Sequence, residues 1–271
     1  MSAGESDRSE RVATVGRRPL SRSLVLTLQI GFFVIVMGTW EFLSATGKLD
    51  PFFFSRPSAI VMKMVTWIVS GFIWEHLATT LIEALLAFVI GTIFGVACGL
   101  VLARVELLAR VFDPYIRILN ALPRVILGPI FILWFGLGIA SKVALAVTLV
   151  FFIVFFNTFQ GIREVNPVVR DNARMLQASE QQLLLYVYLP SAMAWIFSSL
   201  HTSIGFALVG AVVGEYLGAA RGIGYVVAQA EGVFDTTGVF AGLILTSAVV
   251  LLIDLGINRL ERYLLRWRPS N

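Results

Sequence analysis

Apolar residues gather into six long runs, at about 24–45, 77–103, 115–136, 142–161, 191–216 and 238–258, separated by shorter polar stretches. Each run approximates the roughly 20 residues that an α-helix needs to cross a hydrocarbon core of about 30 Å. Backbone N–H and C=O groups must be paired within lipid, which makes helices the default, and the strict alternation of barrel strands is missing from these runs. The pattern therefore predicts an all-α membrane protein with six transmembrane helices. Residues 1–22 are polar, with five arginines, and read as a disordered tail. The run behind them has the length of a span rather than of a signal-peptide core. A shorter apolar stretch at about 57–72 opens with Pro57 behind Ser55 and Arg56, and repeats Ile60, Val61, Met64, Val65 and Ile68 at helical spacing. It predicts an amphipathic helix lying in the outer interface or packed on the bundle.

Composition supports a lipid setting. The chain is 58% hydrophobic and 14% charged, with mean hydropathy +0.84, where a soluble domain carries about 25% charged residues. A single cysteine, Cys98, excludes a disulfide framework, and two histidines, His76 and His201, argue against a His/Cys metal site. The net charge of +4 is scattered between apolar runs, so it points to topology and not to nucleic acid. Fifteen cationic residues fall on one side of the six-span scheme: five in the tail, Arg104, Arg110 and Arg117, Arg163, Arg170 and Arg174, and Arg259, Arg262, Arg266 and Arg268. Five fall on the other: Lys48, Arg56, Lys63, Lys142 and Arg221. This asymmetry predicts that both termini and the loop 162–190 are cytoplasmic.

That loop is polar and helix-prone, between two apolar runs. A membrane protein gains from ordering such a segment when a soluble partner docks on it. Within the spans, Gly91, Gly95, Gly99 and Ala103 recur every four residues, a spacing that lets helix backbones approach closely. Gly210 and Gly214 repeat it. Pro114, Pro123 and Pro129 predict a kinked third span, and kinked spans often line a solute route.

Several stretches carry a resemblance. Asp171-Asn172-Ala173, then Gln177-Ala178, Val187 and Leu189-Pro190 stand on the pattern E-A-A-x3-G-x9-I-x-L-P, with Ala173, Leu189 and Pro190 identical to it. Pro129-Ile-Phe-Ile-Leu-Trp-Phe-Gly-Leu-Gly138 with Ser141-Lys142, Asn157-Thr158 with Gly161-Ile-Arg163, Gly222-Ile-Gly224-Tyr225, and Leu260-Glu-Arg262 to Arg266-Trp267 add to it. Over about residues 30–268 the chain resembles the permease subunit of a bacterial ABC importer of the nitrate/sulfonate/taurine-type group. The resemblance implies one transmembrane domain over 23–268 in the bacterial inner membrane, and a coupling helix from about 168 to 176. It implies cytoplasmic ATPase subunits, a second permease chain and an external substrate-binding protein. ATP and Mg would be held by the ATPase, with no cofactor on this chain. Gln177 departs from the glycine of the pattern: a Cβ resists positive φ, so either the turn is built differently or the partner's cleft is adapted to it.

Other polar residues give candidates. Arg124, a cation within a span, is a candidate for anion attraction, for gating, or for snorkelling to the cytoplasmic side. Pro123, Pro129, Asn157 and Glu215 complete the set of route or gate candidates, Glu215 as an outer gate, a partner for Arg221 or a plain interfacial residue. Glu83 lies in the second span. Asn120, Gln160 and His201 are suited to hydrogen bonds between helices. The phenylalanines 151, 152, 155 and 156 suit packing.

Enzyme readings find little support. The phosphate-loop pattern G-x-x-x-x-G-K-[ST] is met at none of Lys48, Lys63 or Lys142. Ser198, Ser199, Ser203 and His201 crowd one span without G-x-S-x-G, which counts against an intramembrane serine protease. An ion-gradient-driven secondary transporter is the remaining alternative, disfavoured by the small number of deep acids.

Overall fold

The computed structural model describes residues 21–264. The greater part of the expected tail and the Arg266–Trp267 pair lie outside the described residues. Among the described residues every regular element is helical. Helix α1, Arg22–Ala45, forms a unit of its own with the segment up to Leu49; the Ser21 side chain caps it by accepting from the Leu24 N–H.

The second unit starts at Asp50. It comprises α2 (Pro51–Phe54), α3 (Pro57–Val69), α4 (Phe72–Arg104), α5 (Glu106–Ala121), α6 (Leu127–Phe135), α7 (Ile139–Arg163), α8 (Pro167–Met175), α9 (Glu180–Leu183), α10 (Leu189–Leu217), α11 (Ile223–Gly232) and α12 (Thr236–Leu264). Five helical stretches are long and apolar enough to cross a membrane, and a sixth crossing is made if α5 and α6 count as one bent span.

The core is a three-helix seam of α4, α7 and α10, and small residues make it. A Cβ on Gly91 would come within 2.7 Å of Val150, one on Gly95 within 2.9 Å of the Phe151 carbonyl oxygen, and one on Gly99 within 2.8 Å of Thr158. Both residue numbers rise together, so α4 and α7 run parallel. Gly210 faces Ala146, Gly214 faces Lys142 and Gly161 faces Trp195, so α10 runs antiparallel to α7.

This geometry dictates the path of the third run. Two parallel helices need a return crossing between them, so residues 105–138 traverse the bundle rather than turn back within it. The crossing is not the single kinked helix expected over 115–136. It is α5, then Leu122 and Pro123 in extended conformation, then a 3₁₀ turn at Arg124–Ile126 that leads into α6, with an 80° bend. The break falls where Leu122 precedes Pro123, because a residue before proline is driven out of the helical region. Pro114 is accommodated within α5, and Pro129 sits in the first turn of α6, where its missing N–H leaves no bond unmade.

The expected amphipathic helix is α3, packed on α12. Ile60 is buried, the Lys63 ammonium meets the Asp235 carboxylate at 2.9 Å, and the Ser55 and Thr237 hydroxyls lie 2.8 Å apart. Partial burial alone would raise the proton affinity of Asp235, but the bonds from Lys63 and the Gly238 N–H outweigh it and hold the carboxyl below its usual range. His201 serves as a link between helices, its Nε2 3.2 Å from Asp254 on α12.

The close α4–α7 approach leaves no room for a side chain. Gly95→Leu is expected to cost at least about 1–3 kcal/mol through overpacking, seen as lower membrane abundance and a lower melting temperature of the purified protein.

Candidate functional site

Three places collect the polar residues of the bundle. The first is a cavity of about 660 Å³ between α5 and α7, lined on one side by Asp113, Arg117 and Asn120 and on the other by Asn157, Gln160 and Trp195. Phe155, Phe156 and Phe159 complete the α7 wall, with Phe155 and Phe159 stacked at 6.0 Å. The aromatic run expected to serve packing thus also walls a polar cavity. Asn157 donates from its side chain to the Ile153 carbonyl at 2.8 Å, which fixes the amide in place.

Arg124 is tied to this wall through Asn120. Its guanidinium donates to the Asn120 carbonyl at 3.4 Å and to the Asn120 side-chain oxygen. It also lies 4.8 Å from the centre of the Phe152 ring, midway along α7. Its Nε is buried and has no hydrogen-bond partner. The side chain is therefore held at mid-bundle and does not snorkel to an end, with one donor unused. The helix break makes this possible, because Arg124 opens the 3₁₀ turn directly after Pro123.

The second place lies at the opposite end of the seam. Glu83 on α4, Lys142 on α7 and Glu215 on α10 are each no more than 2% exposed and within electrostatic reach of one another. The Thr80 hydroxyl donates to Glu215 at 2.7 Å, and the Gly224 N–H donates to the other Glu215 oxygen at 2.8 Å. The Ile223 N–H reaches Thr80 at 3.0 Å and the Gly222 N–H reaches His76 Nδ1 at 3.1 Å. This arrangement corrects two expectations. Glu215 is neither interfacial nor the partner of Arg221, which pairs with Glu75 at 2.7 Å. Lys142 is not an exposed topology-setting charge but a buried one. The deep acids are few, as expected: among the described residues they are Glu83 and Glu215, both near Lys142. Glu83 was legible in principle, since it sits two turns before Gly91 on the same buried stripe of α4. Lys142 was masked by its place at the start of an apolar run.

The third place is the segment between α7 and α10. Asn166 caps α8 by accepting from the Val168 N–H at 2.9 Å. The helix closes with paired bonds from the Ala178 N–H to the Ala173 carbonyl at 3.1 Å and from the Gln177 N–H to the Arg174 carbonyl at 2.9 Å. This closure needs a left-handed residue between helix and exit, and Gln177 supplies it with φ +58°. Of the two expectations for Gln177, a differently built turn is thereby overturned: the turn is kept, and glutamine bears the strain of about 1–2 kcal/mol that glycine would avoid. Asp171 bonds Arg170 at 2.8 Å, which holds its carboxyl below the usual range. Asn172 is exposed, while Ala173 and Ala178 are half-buried.

Ser179 then caps α9 in a reciprocal arrangement with Gln182. Residues Leu184–Tyr188 follow as a π turn that runs into α10. Pro190 explains the widening: it has no N–H for the Tyr186 carbonyl, and its ring would crowd that group in a regular helix. Val187 packs inside, Leu189 is half-buried and Pro190 is exposed. Arg104 at the end of α4 grips this segment, with Glu180 at 3.0 Å and the Tyr188 ring at 5.9 Å.

Comparison with known proteins bears on what this architecture does. Residues 91–266 match the family described as binding-protein-dependent transport system inner membrane component. The chain belongs to this family. It is a membrane permease of the ABC importer type, and its relatives are transport permeases rather than enzymes. A Bacillus subtilis permease protein named for aliphatic sulfonate transport is 33% identical over 87% of this chain and 86% of its own. The formylaminopyrimidine transport permease of Halalkalibacterium halodurans is 33% identical over 88% and 95%. The taurine permease of Escherichia coli is 29% identical over 93% and 92%. Among solved structures, a MetNI methionine ABC transporter chain in an inward-facing conformation matches with TM-score 0.58 at 21% identity, over 73% of the permease and 96% of that chain. An amino acid ABC transporter chain matches with TM-score 0.60 at 21% identity, over 76% and 97%. At such identity the likeness concerns the fold.

Gly222 carries φ +110°, and a Cβ there would stand 2.1 Å from the Glu215 carboxyl carbon. Gly222→Ala is expected to dislodge the loop from Glu215, Thr80 and His76 and cost at least about 2 kcal/mol, read as a lower melting temperature of the detergent-solubilised permease.

Proposed function

We propose that the permease forms the translocation route of an ATP-driven importer for small solutes bearing an anionic group, and that α8 is the element through which a separate ATPase acts. The observation that carries this reading is the surface of α8. Val168, Val169, Met175 and Leu176 stay exposed, Leu176 by 83% and Met175 by 75%, on an otherwise polar, well-capped helix. Such a face suits a cleft in a soluble partner. The end from which α8 projects also carries Arg104, Arg110, Arg163, Arg170 and Arg174, which supports a cytoplasmic placement for it and, through six crossings, for both termini.

The mechanical link runs from α8 through Glu180 and Arg104 to α4. ATP and Mg, held by two ATPase subunits, favour one arrangement of two permease chains over another; only such a differential effect moves an equilibrium. The solute route opens to one side at a time, with an external binding protein delivering the solute to the opposite end. Arg124, with Asn120 and Asn157, supplies the charge and amides for the anionic group. Its unused Nε and its place beside Phe152 leave it able to accept a sulfonate or a comparable anion in a low-dielectric setting.

Ala173→Glu is expected to abolish uptake and ATPase stimulation by the permease while its abundance in membranes stays unchanged; normal uptake would remove α8 from the coupling role. Solute accumulation by this chain reconstituted without any ATPase would favour ion-gradient transport instead. Arg124→Gln is expected to raise the half-saturation concentration for an anionic solute by roughly tenfold or more, the equivalent of one charge-assisted hydrogen bond. Unchanged uptake kinetics would dismiss the anion contact.

A further inference from the structure

The junction that joins α6 to α7 is open around its two glycines, while Leu137 rests against Gly218 at the end of α10. A Cβ at Gly136 or Gly138 would meet nothing within 4 Å, and Leu137 is 59% exposed. What ties the junction down is Lys142. Its ammonium donates to the Leu137 carbonyl at 2.5 Å and to the Gly138 carbonyl at 3.1 Å, and the Ser141 hydroxyl adds a bond to Gly138 at 3.0 Å. The Lys142 stem lies against Gly214, where a Cβ would come within 3.1 Å. The Glu83 and Glu215 carboxyls of α4 and α10 lie within electrostatic reach of the ammonium. A buried cluster of this kind is weak evidence for added stability, since desolvation offsets much of the attraction. Its directional bonds fix geometry in a way that apolar contacts do not.

The geometry matters because α6, which rests on Leu145 and Leu217 at Gly128, carries Arg124 beyond its other end. Arg124 stands thirteen residues before Leu137, a reach of about 20 Å at 1.5 Å per residue. A tilt of about 5° at the junction moves the guanidinium by about 2 Å, more than a hydrogen bond tolerates. We infer that Lys142, through its bonds to the Leu137 and Gly138 carbonyls, is a positioning residue that sets the place of Arg124 from the far end of the broken span. The inference rests on the reading of Arg124 as the anion contact only for its functional meaning; the positioning itself is testable without a solute.

The test uses the full chain in a Cys98→Ser background. A pair of cysteines at Ile132 and Gly218, which face each other across α6 and the end of α10, reports α6 against α10; a pair at His201 and Asp254 reports α10 against α12 as a control. Lys142→Met is expected to slow cross-linking of the first pair severalfold and leave the control unchanged. It is also expected to raise phenylglyoxal modification of Arg124 severalfold, followed by peptide mass spectrometry. Should Lys142→Met fail to accumulate, Lys142→Met combined with Glu83→Gln removes the cation together with one of the two carboxyls near it and carries the same measurements. Unchanged cross-linking and Arg124 reactivity would overturn the positioning role. Equal loosening of both pairs would also overturn it, showing the cluster to be a general brace. Neither result depends on whether Arg124 reads an anion, so failure here leaves the transport proposal standing.

Discussion

Hydrocarbon offers no hydrogen bonds, and that single constraint shapes this protein. A helix satisfies its own backbone and is the cheap solution for five of the crossings. The remaining crossing breaks, and most polar groups at the break find a partner inside the protein, the Arg124 Nε being left over. Arg124 folds back on Asn120 and Phe152, and the Leu137 and Gly138 carbonyls at the far end of α6 find Lys142. Polar chemistry is placed only where the bundle can pay for it, and the glycine seam of α4, α7 and α10 supplies the rigid surroundings that keep those partners in register.

The two polar centres lie near opposite ends of α7, and they differ in kind. The cavity near Asn120, Asn157 and Gln160 is open and walled by aromatic rings, with a cation held nearby by a neutral amide. The Glu83–Lys142–Glu215 cluster is closed, and its neighbours Thr80 and Gly224 each donate to one Glu215 oxygen. An open polar cavity suits a passing solute. A closed one suits holding parts together, which is why the two are given different roles.

Much of this was written plainly in the residue pattern. Long apolar runs declared the spans, and the four-residue spacing of Gly91, Gly95 and Gly99 declared the seam, because both depend on local periodicity. Arg124 was conspicuous as a charge in an apolar run. Other features were hidden for physical reasons. Lys142 looked like a boundary residue because the carboxyls near it are on other helices, 59 and 73 positions away in the chain. Gln177 looked unfit for a left-handed turn, since local preference favours glycine; the paired closing bonds of α8 and the following Ser179 cap override that preference. The α5–α6 bend exceeded the expected kink because Leu122 and Pro123 both leave the helical conformation, so that the span breaks into two helices instead of bending within one.

The glycine seam has a mechanical consequence. Helices whose backbones touch along several turns have no slack to slide or rock against each other, so α4 and α7 must travel as one rigid body. The breaks that can serve as hinges are the two extended residues at Leu122–Pro123, between α4 and α7 in the chain, the α6–α7 junction at Gly136–Gly138, and the widened turn at Leu184–Tyr188 after α7. Whatever motion opens and closes a passage here bends at those hinges while the seam stays shut.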